Sequence, residues 1–232
     1  CRRTNGVKHP EIVRPSYHWQ SHDWVAADPC TDLARDPLWY GPDIVEMVLR
    51  CPVPQEIGCH GFSHMLIGEP GCSRECFDSE LKACREVAKA WGVPLKSFVF
   101  PRNSVGYLEV LAANGFTAFR GLGSLWHRPL LQPLEKTGRA LQSLLPLPPV
   151  TAQPRSRDGL WDLPGTLFYL HRERWARGVP IAFRVGRAVF GIRRAAREKA
   201  LFHLWFHPYN LASDLEGLLH GLERIFQEVA RL

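Results

Sequence analysis

Strands alternating with amphipathic helices predict an α/β fold built on a parallel sheet or barrel for this 232-residue chain. Three observations carry that expectation. Residues 73–91 place Phe77, Leu81, Cys84, Ala88 and Trp91 at three- and four-residue steps, the period of a helix with one buried face. Residues 97–100 and 201–206 are compact apolar runs followed closely by proline, as buried strands are. Residues 211–232 set Leu215, Leu218, Leu219, Leu222, Ile225, Phe226 and Val229 on one helical stripe.

Along the chain, residues 1–41 are rich in Pro, Trp, His and Asp and show little periodicity, which predicts an irregular extension. Residues 42–232 form the domain proper. Within it, 43–50 suits a short helix and 55–59 a short strand. The helix over 73–91 is closed by Gly92 and Pro94. Pro101 stops the strand over 97–100; a helix follows over 105–114, ended by Gly115, and then a strand over 116–119. Residues 130–145 read as helical, and 146–158, with four prolines, as a loop. Residues 166–176 fit neither period, and 185–200 suits a basic helix. No internal repeat or low-complexity tract is present.

Composition excludes several classes. Apolar and charged fractions of 45% and 22% are those of a globular protein, not of a disordered or collagen-like one. No apolar run approaches the roughly 18 residues of a membrane span. Cys1-Arg2-Arg3-Thr4 has no apolar stretch behind it, so no secretory signal is read, and the start without methionine reads as a piece of a longer protein. Seven cysteines (Cys1, Cys30, Cys51, Cys59, Cys72, Cys76 and Cys84) predict reduced, mostly buried thiols, which favours a reducing cytoplasmic compartment. The net charge of +6 is concentrated in residues 184–199. A solvated arginine face explains it better than a nucleic-acid site through Arg184, Arg187, Arg193, Arg194 and Arg197, so no nucleic-acid partner is expected.

Chemistry gathers at three strand ends, where barrel enzymes hold their reactive groups. These are Glu56-Ile57-Gly58-Cys59-His60, Phe98-Val99-Phe100-Pro101-Arg102-Asn103 and Leu204-Trp205-Phe206-His207-Pro208. If the turn after the first strand is helical, His60 and His64 share a face and can bind one metal ion. Cys72 and Cys76 have metal-ligand spacing too, yet the helical pattern turns Cys76 and Cys84 toward a core. His18, His22, His127, His171 and His220 show no pairing and read as surface or capping residues. The tryptophans and tyrosines of residues 17–40 suit packing or a sugar-binding groove.

Glu-Ile-Gly-x-His-x-x-Ser-His resembles the second motif of the polysaccharide deacetylases, the NodB-homology group of carbohydrate esterases. Phe-x-Phe-Pro-Arg-Asn resembles the strand delivering that family's third motif, and Trp-Phe-His-Pro its fifth. The resemblance spans roughly residues 42–230. It implies a distorted (β/α) barrel, incomplete here, that removes acetyl groups from N- or O-acetylated carbohydrate. It further implies a divalent metal, zinc foremost, on His60 and His64, with His207 as general acid. Arg102 would support the catalytic base; Trp161 and Asp162 would stand for the fourth motif, and Trp205 for a leucine lining the acetyl pocket. The family's first motif, an aspartate pair giving a third ligand and the base, is expected upstream of this chain. Asp23 and Asp28 lie in that direction but follow no strand pattern. The fragment alone is therefore expected to be inactive. Two alternatives stand beside this reading: a non-catalytic barrel relative that binds carbohydrate, and a hydrolase of a small amide or cyclic ureide.

Overall fold

A computed structural model describes residues 3–4, 7–8, 11–22, 28–121 and 151–232. The predicted helix over 130–145, His127 and Asp23 lie outside the described residues. The elements are β1 (Arg3–Thr4), β2 (Val7–Lys8), α1 (Pro42–Leu49), α2 (Arg74–Ala90), β3 (Ser97–Val99), α3 (Leu108–Ala113) and β4 (Ala118–Arg120). They continue with β5 (Arg155–Arg157), β6 (Leu160–Asp162), β7 (Leu167–Phe168), α4 (Ile181–Glu198), β8 (Leu204–Trp205), α5 (Pro208–Leu211) and α6 (Leu215–Val229). Strands β3, β4, β6 and β5 form one sheet in that order, and β7 pairs with β8. By compactness the chain divides into two units, Cys1–Phe119 with Arg157–Leu160, and Arg120–Ser156 with Trp161–Leu232.

In the first unit, α2 starts where Ser73 accepts a hydrogen bond from the Cys76 amide, a side-chain N-cap. Its apolar face buries Cys76, Phe77, Leu81 and Cys84. Phe77 meets Phe98 at 5.5 Å between ring centroids, and Phe98 meets Phe100 and Phe116 at 4.8 and 5.8 Å, edge to face. That geometry sets the positive ring edges on the negative π faces. The predicted strand over 55–59 is reduced to a single parallel bridge, Cys59 to Phe98. Cys59 N donates to Ser97 O, and Val99 N donates to Cys59 O. The short α3 is a trimmed version of the helix expected over 105–114, because Tyr107 takes a left-handed conformation at φ 47° just before it.

In the second unit, β7 and β8 run parallel, with Leu167 opposite Leu204 and Phe168 opposite Trp205, and α4 lies between them in sequence. A parallel pair needs such a crossover. α4 packs against α6 around Tyr169, Val185, Ala188, Leu218, Leu222 and Ile225. Leu215, Leu219, Phe226 and Val229, predicted on the same buried stripe of α6, are exposed instead. The hydrophobic arc is wider than the surface α4 covers.

The arginine face expected on α4 is only partly solvated. Arg184 is 4% exposed. Its Nε donates to Leu170 O at 2.8 Å, Nη2 to His171 O and Ala176 O at 2.8 Å each, and Nη1 to Val179 O. Four carbonyls thus replace the water a buried guanidinium loses. Arg193 pairs with Glu228 at 2.5 Å and Arg194 with Glu198 at 2.7 Å. Arg184 therefore cannot belong to a phosphate-binding surface. Among the described residues no helix is long and apolar enough to cross a membrane.

Candidate functional site

His60 follows the bridge residue Cys59 directly, so its backbone is fixed against β3. Its Nδ1 donates to the Val99 carbonyl at 2.7 Å. A carbonyl only accepts, so this bond fixes the tautomer and leaves the Nε2 lone pair for a ligand. Metal-binding histidines are held in the same way, by a second hydrogen bond that orients the ring.

The turn that follows is not the predicted helical one. Gly61 at φ 91° and His64 at φ 59° are both left-handed, which breaks any helical register. The two imidazoles come together nonetheless, with ring centroids 5.0 Å apart and planes at 80°. Two imidazoles on one tetrahedral zinc, each nitrogen about 2.0–2.1 Å from the ion, place their centroids about 5 Å apart. The spacing of His60 and His64 fits that group. Among the described residues no cluster of three or more His, Cys, Asp or Glu side chains suits a metal.

The residue that holds this loop was not anticipated. Glu80 on α2 is 1% exposed and accepts hydrogen bonds from Phe62 N at 2.9 Å, from Ser63 N at 2.7 Å and from the Ser63 hydroxyl. A carboxylate with this many donors spans the residues between the two histidines and fixes their separation. The signal for it was legible, since Glu80 is the one acid on the face of α2 that buries Cys76, Phe77, Leu81 and Cys84. Buried carboxylates of this kind are retained because they are fully hydrogen-bonded.

The cysteines near the loop belong to the core. The Cys84 thiol hydrogen-bonds to Cys59, which holds the Cys59 thiol below its ordinary range and pushes Cys84 up. Burial pushes the Cys72 thiol up to about 12. Its sulfur lies 3.6 Å from that of Met65, and Cys76 takes a contact from the Ser73 hydroxyl. Cys30, by contrast, is disulfide-bonded, so the expectation of reduced thiols fails there. Asp28 accepts from Cys30 N and from the Tyr40 hydroxyl, a structural turn and not a strand end.

Arg102 is exposed, in a one-turn 3-10 segment at Pro101–Asn103 with φ 49°. In the second unit His207 is exposed at the N-terminus of α5; its amide donates to Asn210 Oδ1 at 3.1 Å. Its ring stacks on Tyr209 at 4.9 Å and meets the edge of Trp205 at 6.0 Å. Trp205 carries the Arg120 guanidinium over its ring at 4.6 Å and packs on Phe168 at the same distance. On β6, Trp161 is 54% exposed whereas Asp162 is 4% exposed, as the strand's two-residue period requires. A Cβ on Gly121 would overlap the Asp162 carboxylate, so glycine there makes room for it. Burial holds His203, two residues before Trp205, below its ordinary pKa.

No family model matches this chain, and no curated protein matches it either.

Proposed function

We propose that this protein is a metal-dependent hydrolase that removes acetyl groups from N- or O-acetylated carbohydrate, on a distorted (β/α) barrel. The observation that carries the reading is the pair His60 and His64, 5.0 Å apart between ring centroids, one with its tautomer fixed by the Val99 carbonyl. His60 and His64 would hold the metal, which when bound supplies Lewis acidity toward the acetyl group. Glu80 keeps the two rings at a set separation, so little reorganisation is needed on binding. His60 Nδ1 donates its proton to the Val99 carbonyl, which leaves the Nε2 lone pair for the metal. The reading assigns protonation of the leaving amine or alcohol to His207, whose ring is steadied by Tyr209 and Trp205. Arg102, Trp161, Asp162 and Trp205 have supporting roles in the same reading.

Acetate release from tri-N-acetylchitotriose and from acetylated xylo-oligosaccharide tests this, with the chain extended upstream to the aspartate pair that the resemblance implies, in zinc-containing and chelator-containing buffer; the 232-residue chain alone should release none. Zinc-dependent release that His60→Ala and His207→Ala both abolish is the expected result. Release indifferent to His60 overturns the metal reading. Sugar and zinc binding without any release favours the non-catalytic relative.

A further inference from the structure

The first unit contains a second feature that the histidine pair does not use. A cavity of about 260 Å³ is lined by Arg14, Ser16, Gln20, Ser21, His22 and, from the histidine loop, Ser63. Ser63 is the residue before His64, so this cavity and the candidate metal pair share one turn of chain. Its walls are held independently of any ligand. Ser16 N donates to Gly71 O at 2.9 Å, and the buried Tyr17 hydroxyl both donates to Leu66 O and accepts from Leu66 N, each at 2.8 Å. Gln20 Nε2 donates to His22 O at 3.1 Å, and Glu80 fixes Ser63. A Cβ at Gly71, where φ is +93°, would collide with the Ser16 carbonyl, so the close approach of these two segments depends on glycine.

Among the described residues the lining brings together the Ser16 and Ser21 hydroxyls, the Gln20 amide, the His22 imidazole, the Arg14 guanidinium and Ser63, whose hydroxyl is held by Glu80, with no carboxylate. Donors and acceptors of that mixture match a ligand made of hydroxyl groups, each of which both gives and takes a hydrogen bond. Tyr17, which also lines the cavity, stacks on Trp19 at 4.9 Å and 10° between planes, and Trp19 stays 44% exposed. Cavities of about 300–1,000 Å³ hold drug-sized ligands, so this one suits a single sugar ring.

We propose that the cavity walled by residues 14–22 and Ser63 is a sugar-binding subsite that takes the ring adjoining the acetylated unit. The proposal rests on the hydrolase reading for its carbohydrate class, and on the cavity alone for its place. Calorimetric titration of the full chain with tri-N-acetylchitotriose and with acetylated xylotriose, in metal-free buffer, tests it. Ser21→Trp fills the cavity from an exposed position, Gln20→Ala removes its amide, and circular dichroism checks that each variant is folded. Ser21→Trp should weaken the bound trisaccharide by about tenfold or more, and Gln20→Ala by about threefold. Lys89→Ala, on the exposed side of α2, should leave sugar affinity within about twofold, and His60→Ala should remove the heat of a separate zinc titration. Wild-type affinity in Ser21→Trp, or no binding of either trisaccharide to wild type, overturns the subsite. Zinc binding that ignores His60, with sugar binding still sensitive to Ser21→Trp, overturns the metal reading and leaves the subsite standing.

Discussion

Replacing Glu80 by alanine isolates the contact that sets the histidine loop. The carboxylate takes three donors, the amides of Phe62 and Ser63 and the Ser63 hydroxyl, from a position 1% exposed. A hydrogen bond to a charged group contributes about 1.5–3 kcal/mol net, and the three share one acceptor, so their sum is an upper bound. The other side of the estimate is the cost of two loop amides left without a partner, about 1–3 kcal/mol each. Both routes converge on about 3–5 kcal/mol for Glu80→Ala. Glu80→Gln keeps one acceptor oxygen but turns an NH₂ toward the remaining donors, and should cost about 1.5–3 kcal/mol. Amide hydrogen exchange reads the effect at the site itself. If 3 kcal/mol is lost locally, exchange at Phe62 and Ser63 should accelerate by about a hundredfold in Glu80→Ala, with Glu80→Gln intermediate. Unchanged exchange at those two amides would refute the claim that Glu80 holds the loop.

Two other predictions follow from buried charge. Arg184→Met strands four carbonyls that the guanidinium now satisfies, and should lower stability by about 2–4 kcal/mol, seen as a fall in the urea midpoint; a midpoint equal to wild type contradicts the account of that cluster. His203 is held below its ordinary pKa by burial, so the unfolded chain takes up its proton first as pH falls. Its contribution is complete above the unfolded value of about 6.5 and declines below it. Thermal melts of wild type should therefore lose stability from pH 7.5 to 5.5, and His203→Gln should flatten that slope; parallel slopes would show that His203 is not the group responsible.

How much of this was legible in the sequence depends on the range of the forces involved. Helix α2 was readable because its period and its Ser73 cap are local. The strand expected over 55–59 shrank to one bridge, since pairing depends on a distant partner and β3 bonds to it only around Cys59. The helical turn that would have joined His60 to His64 failed at Gly61 and His64, whose left-handed backbones flank the two amides that Glu80 holds. The Asp158-Gly159 turn between β5 and β6 was readable in principle. Both residues have positive φ, at 50° and 79°, as a two-residue hairpin turn requires, but the prolines upstream made the segment read as plain loop. Arg184 was misread because a basic run suggests solvent, and nothing in the sequence marks the carbonyls that enclose it. The histidine pair itself was legible as a spacing, and only the fold supplied the Val99 carbonyl and Glu80 that orient it.

The central claim is that His60 and His64 are two ligands of one metal ion, and calorimetric zinc titration of the full chain addresses it most directly. A site with two imidazole ligands, one pre-oriented, is expected to bind zinc weakly, with the heat lost in His60→Ala and in His64→Ala alike and retained in His18→Ala. Equal heats in wild type and His60→Ala would contradict it.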